Sequence, residues 1–447
     1  MLRTLTTMRI AKHARPCLLC SVVTIGIVFL PVSGRAQILD QYLTPNIYGT
    51  GAEPGVTVTS RQRPYLEYPT VRLGSVVLRP EIAEGLGYDD NVLGTRKGRG
   101  SILAQTTANL QAATNWSRHS VTASVVAEDY RYLDLPRQSY TNWSAGIGGT
   151  YDIGRDTISL GYSHVSYSQN ARGLDVPQLD RPIETRIDSV RLSYRAVFDR
   201  FSVQPGIEVA KYEFQDGTAN GVAYRQRQRN RTVFTPAVTA SYELAPRRSM
   251  VAVLRDSQAD YNSVLAGSGR RNYNDVSVLA GLDYDLDGVV RFRVLGGYQY
   301  RSFSSAQFKT LSSPIFEGSV IWTPTGLTSV TGTLSRRIQD SADESTVAYT
   351  ETAFVLAVDH EYLRNVLLNA RAGVYLGDYA RGQGSQTLYA ARVGATWLLN
   401  RNVRLGATYD FSTRQSGNTN TTILAQDQRL GGNYTDNRFL LQVRFGL

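Results

Sequence analysis

Few residues in this sequence are equipped for chemistry. His164-Val165-Ser166 sets an imidazole and a hydroxyl two positions apart, and on a strand that spacing places both side chains on one face. A histidine so placed could act as general base for a serine nucleophile, provided that a third group orients its ring. The strand that follows, "RIDSVRLSYRAVF", offers no Asn for that task, and Asn142 before it has the opposite, inward parity. The pair therefore reads as an interfacial histidine beside a loop-proximal serine. His360 stands next to Tyr362 on an outward face, and His119 is isolated in a turn, so the histidines assemble no metal cluster. The glycines of "GIGGTY" sit mid-strand, where they cannot cradle a phosphate at a helix start. The basic loop "GTRKGRG" (94–100) reads as solvated, with lipopolysaccharide phosphates as the groups it could touch. No catalytic residue, metal site or cofactor is expected.

What remains is charge that recurs on one parity. Arg191, Arg195, Arg231, Arg291, Arg293, Arg301, Arg371, Arg392 and Arg404 share the inward face with Glu128, Tyr130 and Tyr212. With Arg337 and Arg444 the arginines number eleven, against twelve inward carboxylates that include Glu208, Asp275, Asp283, Glu317 and Asp410. Such a face predicts a mixed, polar lumen without a strong preference for ions of one sign. Many of these groups are expected to pair with one another and stiffen the wall.

The elements that must hold this charge are strands. From about Val77 onward the chain runs through roughly ten alternating residues, a break, then ten more. "VRLSYRAVF" sets Val190, Leu192, Tyr194, Ala196 and Phe198 against Arg191 and Arg195. Short breaks near Asn115, Gly154, Asp199, Pro246, Asp287, Pro324, Arg364 and Arg401 recur about every forty residues. Longer polar stretches, such as "DDNVLGTRKGRG", "QNARGLDVPQLDRPIE", "DGTANGVAYRQRQ" and "QSGNTNTTILAQDQ", lie between them. This alternation predicts an all-β fold, a transmembrane antiparallel up-and-down β-barrel of about eighteen strands, with turns in the periplasm and loops outside. Only the ninth strand, near "SMVAVLRDS", leaves its inward face undefined. Each descending strand should carry an aromatic at the inner rim: Trp116, Tyr151, Phe198, Tyr242, Tyr284, Trp322, Tyr362, Trp397 and Phe445. The chain stops on "FLLQVRFGL", still alternating. That strand has to close against the first, because an open edge in lipid leaves backbone groups unpaired.

Composition supplies an address. Arg3, Arg9, Lys12 and Arg15 precede an apolar run from Cys17 to Leu30 and a small-x-small site, Gly34-Arg35-Ala36. This is the layout of a secretory signal peptide, expected at 1–36. Both cysteines fall within it, so the remaining chain has no disulfide and no thiolate chemistry. Losing five basic residues lowers the formal charge from +10 to +5, and no nucleic-acid partner is expected. Residues 37–70 are rich in Pro, Gly and Thr and read as a periplasmic N-terminal arm, leaving 71–447 as the barrel. The expected location is the outer membrane of a Gram-negative cell.

Three stretches resemble known families. The His-x-Ser at 164–166 is similar to that of the outer-membrane phospholipases, whose pair works on the lipid face with an Asn from the next strand. The outward Phe445 and Leu447 resemble the C-terminal signal read by the barrel assembly machinery, although Leu447 stands where an aromatic is usual. The opening "RPYLEYPTVRLGSVVLRPEIAEGLGYDDNV" resembles an outer-membrane β-barrel porin family associated with exopolysaccharide gene clusters. The matching pieces are Arg63-Pro64, Leu73-Gly74-Ser75, Leu78-Arg79-Pro80 and Tyr88-Asp89-Asp90-Asn91. That resemblance implies a passive conduit for secreted exopolysaccharide, with a periplasmic polysaccharide exporter as partner. Two alternatives stand beside it: a general diffusion porin for small hydrophilic solutes, marked by a constricting loop, and a lipid-face hydrolase.

Overall fold

The computed structural model describes residues 57–58, 61, 63, 65–176, 178–219, 221–265, 269–286, 288–342, 347–380, 384–417 and 432–447. The leader expected at 1–36, most of the arm and much of "QSGNTNTTILAQDQ" lie outside them. The strands follow one another as β1 (Val76–Asp89), β2 (Ser101–Thr114), β3 (Ser120–Tyr132), β4 (Tyr140–Ile153), β5 (Asp156–Gln169) and β6 (Ile183–Phe198). Next come β7 (Phe201–Phe214), β8 (Arg231–Ala245), β9 (Arg248–Tyr261), β10 (Tyr273–Leu286), β11 (Val290–Phe303) and β12 (Leu311–Thr325). The last are β13 (Thr328–Asp340), β14 (Ala348–Leu363), β15 (Val366–Tyr379), β16 (Ser385–Leu398), β17 (Val403–Ser416) and β18 (Tyr434–Gly446).

Each strand pairs antiparallel with the next, and β18 returns to β1 with Phe445 opposite Ile82 and Phe439 opposite Tyr88. The result is a closed antiparallel barrel of eighteen strands, the number that the hairpin count predicts. A short extra strand, Val71–Leu73, folds back onto β1. Closure matters physically: it leaves no unpaired backbone edge to face hydrocarbon.

The alternation sorts side chains as lipid requires. Along β4, Ile147 and Tyr151 are more than half exposed on the outside, while inward Asn142 and Ser144 are buried. This is apolar outside and polar inside, the reverse of a water-soluble core. Tyr151, Phe198, Tyr242, Trp322, Tyr362, Trp397 and Phe445 project outward near the short-turn end, and Tyr284 packs there against Phe292, ring centroids 5.3 Å apart. Trp116 departs from the expectation in one respect: it is exposed at the same level, but in the turn after β2 ends at Thr114. The short turns at Gly154, Asp199 and Arg247 each place one residue at positive φ, 65°, 53° and 62°. Such residues match the right-handed twist of the strands they join.

On β9 the inward positions Val251 and Val253 are apolar, and charge returns at Arg255. Val251 and Val253 join Leu279, Leu295 and Ile315 in one cluster on the wall of β9–β12. Beside it a Cβ at Gly281 would lie 1.9 Å from the Val294 carbonyl oxygen, and one at Gly297 1.9 Å from that of Val278. Only glycine permits β10 and β11 to approach so closely.

Candidate functional site

The interior divides into a water-facing wall and two ends crossed by chain segments. On β6–β12 the inward charges pair, two of the three pairs across adjacent strands and the third, Arg255–Glu317, from β9 to β12. Arg191 meets Glu208 at 2.6 Å, Arg255 meets Glu317 at 3.0 Å and Arg293 meets Asp283 at 3.6 Å. Arg293 keeps 44% of its side chain exposed, Arg195 is exposed beside this set, and Arg291 sits opposite Asp285 in register. These groups meet water inside the barrel. Across from them Arg392 and Arg438 share Asp410, the latter at 3.1 Å. Arg371 stands in register with Arg392.

Other expected lining residues point inward but are covered. Arg301 is held by Asp275 and Asp340, each at 2.7 Å, and Arg231 reaches Asp340 at 3.0 Å while lying 4.3 Å over the Tyr212 ring. Tyr130 stacks on Tyr140 with centroids 4.7 Å apart and donates its hydroxyl to Glu128 at 3.4 Å. Arg404 lies over Tyr68 of the arm at 3.7 Å. In this structure Arg231, Arg301, Arg404 and Tyr130 brace the wall and do not line a water path. Carboxylates offset the charge of Arg231 and Arg301, as expected where a buried ion needs a partner.

The long-loop end is crossed by loops that fold inward. The third loop, 170–182, enters the barrel and crosses it. Arg172 donates to Asp89 at 2.6 Å, to Asp436 at 3.0 Å and to the Tyr132 hydroxyl at 3.1 Å, joining β1, β18 and β3. Burial alone would depress its guanidinium, but Asp89, Tyr132 and Asp436 together draw it well above its ordinary value. Arg414 of β17 donates to the Ala171 carbonyl at 2.9 Å and to that of Gly173 at 2.5 Å, and Tyr434 donates to the Arg172 carbonyl at 2.6 Å. Leu174 then packs among Ala353, Val355, Tyr375, Leu388 and Tyr434, inward residues of β14–β18. Asp175 ends the crossing, accepting from Ser341 Oγ at 2.7 Å and from the Ala342 amide at 2.5 Å. Two more loops meet the same short segment: Tyr224 donates to the Ala342 carbonyl and Arg271 to that of Ser341, each at 3.5 Å.

The short-turn end is crossed by the arm. Beyond Arg404, whose Nη2 also donates to the Leu66 carbonyl at 3.2 Å, the chain runs to β13 and β14. There the Val58 amide donates to Ser329 Oγ at 3.0 Å. Glu361 accepts from Arg61 at 2.6 Å and from Arg63 at 2.9 Å. Four strand pairings separate β17, which carries Arg404, from β13, so the arm spans a chord across this mouth.

The outward His164 has a partner that the sequence reading passed over. Asp188 lies opposite it in register, with His164 Nδ1 at 2.8 Å from Asp188 Oδ1. An acid therefore fills the orienting position where an Asn was sought. Ser166, however, donates its hydroxyl to Glu184 at 2.6 Å, and His164 leans on Trp143, centroids 4.4 Å apart. The serine's proton is directed to a carboxylate, and no nucleophile–base bond exists between the two. Among the described residues no group of histidines and acids is arranged to hold a metal.

None of the curated proteins is a significant match to the sequence. Among solved structures the chain is similar to Acinetobacter baumannii OccAB2, at 12% identity, a TM-score of 0.43, and coverage of 84% of this chain and 100% of that one. It is also similar to Pseudomonas aeruginosa OccK9 (OpdG), at 12% identity and a TM-score of 0.43, covering 83% of this chain and 98% of that one. The profile of the family described as "Putative beta-barrel porin 2" matches residues 63–445, nearly the whole described chain. The protein belongs to this β-barrel porin family, and its closed barrel is that of an outer-membrane porin.

Proposed function

We propose that the protein is a passive, non-enzymatic pore of the Gram-negative outer membrane that admits small hydrophilic solutes. The observation that carries this reading is the third loop, held inside the barrel by Arg172, Leu174 and Asp175. Eighteen strands enclose more space than wall side chains fill, and a loop laid across that space sets an upper size for what passes. The paired charges at Arg191–Glu208, Arg255–Glu317 and Arg293–Asp283 supply a hydrated surface of both signs along which a solute can exchange hydrogen bonds. The non-enzymatic reading is supported by the Ser166 proton, which is directed to Glu184 and away from His164.

A second reading, a conduit for secreted exopolysaccharide fed by a periplasmic exporter, draws on the family's opening motif and on Tyr375, whose ring would be uncovered on the inner wall once Leu174 withdrew. It requires that the third loop leave the lumen. On either reading the outer face meets membrane lipid and lipopolysaccharide, and β18 is the strand presented to the barrel assembly machinery. Deletion of the gene separates the two. Slower uptake of small solutes with unchanged extracellular polysaccharide supports the diffusion pore. Loss of extracellular polysaccharide with unchanged uptake supports the conduit.

A further inference from the structure

One buried arginine has no acid to neutralise it. Arg229 sits in a single 3-10 turn, Arg227–Arg229, of the fourth loop and is 0% exposed, as is Gln226 beside it. The guanidinium lies 4.1 Å over the Phe214 ring and bonds Gln226 Oε1 through Nη1. Its Nε and Nη2 have no hydrogen-bond partner, nor have Gln226 Nε2 and Arg231 Nε. Arg231 belongs to the same cluster, because its guanidinium donates to the Arg229 carbonyl at 3.2 Å and faces the same Phe214 ring at 5.8 Å. The carboxylates nearby are already engaged. Asp340 is shared by Arg231 and Arg301, and Asp216 lies on the exposed side, 3.5 Å from Arg227. Among the described residues none forms an ion pair with Arg229.

A buried cation without a counter-charge is strongly disfavoured, and so are buried N–H groups without acceptors. Here four such donors from three residues gather with one uncompensated positive charge. Planar guanidinium groups present paired N–H bonds that match carboxylate and phosphate oxygens. We propose that Gln226, Arg229 and Arg231 form a binding site for a small oxyanion, either free inorganic phosphate or the phosphate or carboxylate group of a solute. The second source rests on the pore reading, in which the site lies beneath the loops at the long-loop mouth and favours anionic solutes.

The test is calorimetric titration of full-length protein, folded in detergent, with sodium phosphate against sodium chloride of equal ionic strength. Methyl phosphate and acetate serve as solute-like probes. The expected result is saturable phosphate binding that weakens by roughly tenfold or more in Arg229→Gln and is unchanged in Arg227→Gln, on the same turn. Gln226→Met supplies a second loss should Arg229→Gln not fold, with folding judged by heat-modifiable migration. Binding of inorganic phosphate alone assigns the site to a free ion; binding of methyl phosphate or acetate as well assigns it to solute groups. No binding by the parent protein, equal binding by Arg229→Gln, or equal loss in Arg227→Gln overturns the proposal. Absent phosphate binding with normal channel conductance removes the site and leaves the pore. Phosphate binding without conductance in any salt removes the pore and leaves the site.

Discussion

At the scale of single residues, the pore is governed by ion pairs that hold loops in place. Arg172 bridges Asp89 and Asp436 with a single positive charge. Replacing it with Gln leaves two buried carboxylates without their cation, a change that costs about 3–5 kcal/mol for one broken buried pair. The third loop should then leave the lumen while the strand ladder stays intact. Expected for Arg172→Gln is a folded barrel with raised single-channel conductance; unchanged conductance would show that the loop does not narrow the path. Only part of this site was legible in the sequence. Arg191 and Arg293 were readable because strand alternation fixes their direction. Arg172, Leu174 and Asp175 were not, since a loop has no period, and the partners Asp89 and Asp436 lie 83 and 264 residues away. The one local signal was apolar Leu174 and Val176 set within a charged loop. Asp188 was missed for another reason: the search was for an Asn, although a carboxylate can accept from an imidazole equally well.

Among the elements, β18 and the arm carry separate burdens. Phe445 lies opposite Ile82, so β18 supplies both the closing ladder and an outward apolar row. A charged side chain on the lipid face costs about 2–4 kcal/mol at mid-membrane and less near the rim. Phe445→Glu with Leu447→Glu sits at the rim, where failed recognition by the assembly machinery should outweigh that energy. The double variant is expected to lose heat-modifiable barrel from outer-membrane fractions; levels equal to the parent would contradict this. The arm is held to β14 through one acceptor, Glu361, bonded by Arg61 and Arg63. Arg61→Gln with Arg63→Gln should free it from the short-turn mouth. The expected outcome is faster flickering or a larger open level in bilayer recordings, with some loss of thermal stability because Arg63 and Glu361 are largely covered. The strands themselves were plain in the sequence because lipid and water lie on opposite faces of a period-two chain. β9 was the exception: Val251 and Val253 interrupt its inner face ahead of Arg255, which blurs the contrast that marks a face.

For the whole molecule, the physical picture is a wide barrel made narrow by its own connections. Closure of β1 on β18 satisfies the wall. The loops that converge on Ser341 and Ala342 cross one mouth and the arm crosses the other, and on the proposed pore function they set the size of what passes. The most direct measurement is single-channel conductance in planar bilayers for the parent protein and for a variant with residues 171–178 replaced by a Gly-Ser linker. A small, steady open level in the parent that rises several-fold in the variant is the predicted result. Equal conductance in the two proteins, or free passage of large dextrans through the parent, would contradict a pore narrowed by its third loop.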